Sequence, residues 1–163
     1  MPDTHANAAP TPPIALERAR HALAAINRLE AQPPPGGIGN YVGYVKALPA
    51  NILRSGLGQA MAMEKAQSKG DAGHAWLYRH MQEWLVKGWL NSPYASARAY
   101  ATDEDPKEDP PALLQAIVEG KQAAYVRAQA EALAYLEWLK KFAVAFLEKA
   151  DGGAADQAGG EGP

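Results

Sequence analysis

The chain has 163 residues; 34 are alanine and 43 are larger apolar residues, fifteen of them leucine, enough for one modest core and a single domain. Valine, isoleucine and threonine together number only 14, too few for a sheet protein, and the absence of cysteine excludes disulfide frameworks, thiolate metal sites and thiol nucleophiles. The net charge of −2 hides an asymmetry: residues 103–109 sum to −4, 151–163 to −3 and 1–13 to −1, leaving 15 basic and 9 acidic residues in the remainder. A basic body with acidic appendages suits a polyanionic partner, and it equally suits ordinary solvated helix faces.

Taken in chain order, residues 1–13 are rich in Pro, Ala and Asn, with no basic stretch leading into an apolar run, so they do not read as a secretory signal. They are expected to be a disordered tail. Apolar spacing predicts a first helix over 14–31, with Leu16, Ala19, Leu23, Ile26 and Glu30 on one stripe and Ala15, Ala22 and Leu29 beside it. After the Pro-Pro-Pro-Gly-Gly loop at 33–37, a second helix is expected over 39–47. A third starts with Pro49 in its first turn, where the missing N–H costs nothing, and runs to 66. Asp71 is a plausible N-cap for a fourth, which carries Leu77, Met81, Trp84, Leu85 and Gly88 on one face and ends before Pro93. A short turn of helix at 94–101 and an acidic, proline-flanked flexible loop at 102–111 follow.

The last helix is predicted from Pro111 to about Lys149, with a possible interruption at Gly120. Tyr125, Ala128, Ala132, Tyr135, Leu136, Leu139, Ala143, Phe146 and Leu147 form its broad stripe, while Arg127, Ala134, Trp138, Lys141 and Ala145 lie opposite. Residues 151–163, Gly/Ala-rich with three acids, are expected to be a second disordered tail. The whole is an all-α protein: one helical bundle of about five to six helices over 14–150, with a long C-terminal helix. No stretch reaches eighteen strongly apolar residues, and a cytosolic protein is expected.

Enzymatic constellations are largely absent. His5 falls in a tail, and His74 and His80 sit about 120° apart on a helix, unlike the i, i+4 pair of zinc-protease helices. The serines at 55, 68, 92 and 96 have no evident base nearby, and Gly36, Gly37 and Gly39 follow prolines, not a strand. Gly56-Leu57-Gly58 stands in a helical context, where small residues let another helix or a backbone approach. No catalytic residue, metal or cofactor is expected.

Two blocks carry a resemblance. NYVGYVKALPANILRSGLGQAMAMEKAQ (40–67) and YVRAQAEALAYLEWLKKFAVAF (125–146), 50 residues in all, resemble the small α-helical subunit of the type III-B CRISPR effector complex, the Cmr ribonucleoprotein. The resemblance implies a non-catalytic building block of antiviral defence. It would stack with copies of itself into one filament beside the backbone repeat subunit and the large subunit, along guide RNA and target RNA. Such a role needs phosphate contacts from Lys and Arg, with sequence left to base pairing.

Where the blocks match, the candidate RNA contacts are Lys46, Arg54, Arg127, Lys140 and Lys141, with Lys141 and Arg54 foremost. Trp138, Tyr41 and Tyr44 are candidate partner-surface residues. The bland alternatives are solvated surface charges and an Arg127–Glu131 pair at i, i+4. A helical adaptor that binds only proteins is the competing function.

Overall fold

Helical periodicity becomes six α-helices in the computed structural model, which describes residues 13–97 and 105–148. They are α1 (Ile14–Ala31), α2 (Tyr41–Ser55), α3 (Leu57–Gln67), α4 (Ala72–Gln82), α5 (Ala112–Glu119) and α6 (Gln122–Phe146). α4 runs on into a π-helical turn at Glu83–Gly88, and a single 3-10 turn at Pro106–Glu108 precedes α5. Among the described residues there is no strand. Residues 1–12 of the expected tail at 1–13, the expected tail at 151–163, the end of the expected turn at 98–101, and 102–104 of the acidic segment lie outside the described residues.

α6 is the spine. Its alanines at 128, 132 and 143 are fully buried, and small side chains let neighbouring helices come close. α1 lies along it in the same direction: Arg18 donates to Glu131 at 2.7 and 2.8 Å, and one turn further His21 Nδ1 is 2.7 Å from the Tyr135 hydroxyl. α2 runs the opposite way, with Lys46 at Glu148 and Gly56 at Tyr125. α4 packs across α2 and α3 and is buried nearly all round; Leu77, Tyr78 and Met81 have no exposed surface. Asp71 caps its start, accepting from the Gly73 N–H at 2.8 Å, as expected.

Three expectations need correction. The buried arc of α1 is Ala22, Ala25, Ile26 and Leu29, whereas Leu16 is 49% exposed and Glu30 is exposed. The buried arc is shifted from the predicted stripe toward Ala22 and Leu29 beside it, because the polar residues Arg18 and His21 also face inward to bond α6. Second, α2 continues through Pro49. Val45, Leu48 and Ile52 around it are fully buried, and that burial outweighs the roughly 3 kcal/mol a mid-helix proline costs. The break falls instead at Gly56, whose φ of 82° is open to glycine and strained for other residues.

The third correction concerns the described part of the acidic loop, which is docked. Asp109 is buried and takes Arg79 Nε at 2.7 Å and Arg79 Nη2 at 2.5 Å, while its carbonyl accepts from Lys65. Gln82 completes the seal, donating to the Pro110 carbonyl at 3.0 Å and accepting from the Leu113 N–H at 2.8 Å. An arginine in an otherwise buried helix requires a partner of this kind.

Two of the histidines packed into the bundle, His21 and His80, have depressed imidazole pKa values. Burial, and more weakly the Arg28 charge, holds the His21 imidazole down at about 4. Burial holds fully enclosed His80 at about 3, with its Nδ1 2.7 Å from the Tyr41 hydroxyl. Tyr41, a candidate partner-surface residue, is therefore a core residue with no exposed surface. Its ring belongs to the inner face of α2, and its hydroxyl is satisfied by His80.

Replacing Asp109 with Ala should cost about 3 kcal/mol of stability, because buried Arg79 loses its bidentate partner; urea unfolding measures this, and a loss under about 1 kcal/mol would show the clamp to be ornamental. For the histidines the sign is set by depressed native pKa values: unfolded imidazoles take protons near 6.5 while the native ones do not. Their contribution is full above 6.5 and lost as pH falls toward 4, at up to about 1.4 kcal/mol per pH unit for each. Buried Glu64 and half-buried Glu83, whose carboxyls desolvation pushes up, act in the opposite sense, so the comparison is between wild type and His80→Asn at each pH. The variant should show the shallower acid dependence, and equal slopes would refute the assignment.

Candidate nucleic-acid interface

On α2 the outward face carries Lys46, Ala47, Ala50, Leu53 and Arg54, all exposed. Lys46 Nζ is 2.8 Å from Glu148, a pair open to solvent at both ends. Arg54, in the last turn where a cation suits the helix dipole, donates only to Asn51 and has no carboxylate partner among the described residues. Just beyond it, the chain is pinned across the bundle. The Leu57 N–H donates to Gln129 Oε1 and the Gly58 N–H to the Tyr125 hydroxyl, both at 3.0 Å. A methyl group on Gly56 would come within 2.6 Å of that hydroxyl, which is the close approach the Gly-Leu-Gly sequence foreshadowed.

The cations of α6 divide between two flanks. Lys140 is eleven residues from Gln129, within about 20° of it round the helix, so it lies on the flank that meets α2. It is exposed and has no carboxylate partner among the described residues. Trp138 is seven residues from Glu131 and belongs to the flank that meets α1. Lys141 stands between the two, 4.0 Å from Glu137 and 6.0 Å from the centre of the Trp138 ring. Arg127 is held elsewhere: its guanidinium covers Trp89 at 5.5 Å and donates to the Asn91 carbonyl at 3.0 Å. The anticipated Arg127–Glu131 pair does not form, since Glu131 is occupied by Arg18 and by Trp84 Nε1 at 3.0 Å. Lys46 thus reaches Glu148 just past the end of α6, and Lys140 lies on the α6 flank that meets α2. Arg54 stands in the last turn of α2 beside the pinned corner, whereas Arg127 and Lys141 lie away from the α2–α6 seam.

The aromatic candidates separate just as clearly. Tyr44 is half-buried, stacked on His74 with ring centres 3.5 Å apart, and donates to Asp71 at 2.5 Å, a bond that raises its phenol above the ordinary range. His74 in turn meets Glu64 at 2.6 Å. Trp138 is half-buried and stacks on Phe142 at 5.7 Å, which leads to Phe146, 43% exposed, at 6.4 Å. That i, i+4, i+8 aromatic row is a signal that spacing alone carries. The roles of Tyr125 and Gln129 had no such signal, because a glycine pair announces a close neighbour without naming it.

Among the described residues no three His, Asp or Glu side chains are grouped so as to hold a metal ion, and no helix is long and apolar enough to cross a membrane. A family model described as CRISPR-associated protein (Cas_Cmr5) matches residues 14–146, from the first residue of α1 to the last of α6. Both resemblance blocks and the docked segment between them fall within that match. The chain therefore belongs to the Cas_Cmr5 family, whose members are non-catalytic structural subunits of the type III-B CRISPR Cmr effector complex.

Proposed function

We propose that this subunit stacks with copies of itself in the cytoplasmic Cmr complex, beside the backbone repeat subunit and the large subunit, and touches the sugar–phosphate chain of the guide–target RNA at the α2–α6 seam. The observation that carries this reading is the pairing pattern. Arg54 and Lys140 are exposed cations without carboxylate partners among the described residues, on two helices that pack together. Charges left unpaired at a surface keep their full attraction for phosphate. Lys46 shares the seam, with Glu148 as a competitor that phosphate would have to displace.

The seam carries alanine and leucine between its cations and no exposed aromatic ring on α2, so base stacking has no platform there. Recognition by backbone charge alone accepts any guide sequence, which antiviral defence requires. The Trp138–Phe142–Phe146 row, on the other flank of α6, favours a protein neighbour, with Lys141 at its edge. A subunit with one flank for RNA and one for protein accounts for both sets of residues. The protein-only adaptor accounts for the second alone.

Arg54→Glu combined with Lys140→Glu should lower the affinity of the assembled complex for target RNA by about tenfold or more at 0.1 M salt, with the deficit shrinking as salt rises. The slope of log K against log salt should fall by roughly one to two. Adding Lys141→Glu should change little further, since Glu137 already neighbours it. Filter binding over a salt series measures all three, and unchanged affinity at every salt would leave the adaptor reading standing.

A further inference from the structure

We infer that Tyr125 and Gln129 of α6 are positioning residues that set where Arg54 stands on the RNA-facing seam, an inference that rests on the RNA-contact reading above. The first N–H groups of any α-helix lack partners within it, and the usual remedy is an acceptor on the N-cap side chain. At the start of α3 the N-cap is Gly56, which has no side chain, and no local side chain supplies a cap bond. Both acceptors come from another helix: Gln129 takes the Leu57 N–H and Tyr125 the Gly58 N–H. A serine or aspartate at 56 would have stabilised α3 without referring it to anything else. Here the cap also locates the corner between α2 and α3 against α6.

Arg54 is three residues before the first capped amide, in the last turn of α2. Lys140 shares a row with Gln129, three turns along the same helix. One glutamine therefore references both cations of the seam, one through its hydrogen bond and the other through the rigid rise of α6. The glycine is part of the device: its φ of 82° turns the chain, and its missing Cβ leaves room for the Tyr125 oxygen. Two charges on separate elements are useful to a regularly spaced phosphate chain only when their separation is held, because each must find its phosphate without reordering.

The test is a double-mutant cycle in the full chain, assembled in the complex, with target-RNA affinity read across a salt series. Gln129→Met keeps the length of the side chain and removes the acceptor; Tyr125→Phe removes one hydroxyl and is the milder variant should the first fail to fold. Each should lower affinity by about threefold or more in the native background and produce no further loss in an Arg54→Ala background. Hydrogen exchange at the Leu57 and Gly58 amides should quicken in the corresponding variant. Equal losses in both backgrounds would mean a merely structural cap, and unchanged affinity with quickened exchange would also overturn the inference. Should Arg54→Ala itself leave affinity untouched, the RNA-contact reading fails first, and the failure is recognisable as such.

Discussion

The Glu131 carboxylate is the contact on which the arrangement of the molecule turns. It is buried on the inner face of α6 and receives three donors, two from Arg18 of α1 and one from the indole of Trp84 in the π turn. A carboxylate taken out of water without such partners would cost several kcal/mol. Meeting its needs obliges three elements to converge on one point. Trp84 is brought flat against Tyr135, ring centres 5.1 Å apart, and His21 stands edge-on to Tyr135 and tilted against Trp84. Once that cluster is set, α6 cannot rotate about its own axis, and the row through Gln129 and Lys140 must face α2 while Trp138 faces α1.

The helices were readable because their apolar residues recur at a helical period and because proline and glycine punctuate them. The bounds of α1, the Asp71 cap and the break at Gly120 all follow from local chemistry. What local chemistry could not foresee was tertiary override. Pro49 was judged by the N–H it lacks, whereas the burial of Val45, Leu48 and Ile52 decided the matter. Arg18, His21, Arg79 and Glu131 are polar and have no place in an apolar stripe, yet each bonds a partner on another element. Their partners lie 30 to 114 residues away in the chain, out of reach of any periodicity argument. The candidate site fared similarly: residue type picked out the cations, but only packing could sort them between flanks or send Tyr41 inside.

Charge is distributed to match a scaffold. The Asp109–Arg79 pair cancels one acid and one base in the interior, so neither contributes to the outer field. Arg54 and Lys140 are cations of a different kind, exposed and without carboxylate partners among the described residues. A family of non-catalytic subunits has no transition state to stabilise. Its requirement is dimensional: faces held at fixed angles so that the complex can be built on them. Interior ionic bonds, interhelical caps and aromatic stacks all serve that requirement.

The π turn at Glu83–Gly88, closed by the Trp89 N–H bonding back to Trp84, has an evolutionary corollary. Such a turn is what an α-helix becomes when it accommodates one surplus residue while the segments on either side keep their azimuth. The gene can therefore gain or shed a single codon at this place and leave the walls of the bundle standing. Anywhere else in α4 the same event would swing every following side chain by about 100°, and a helix enclosed on all sides has no room for that.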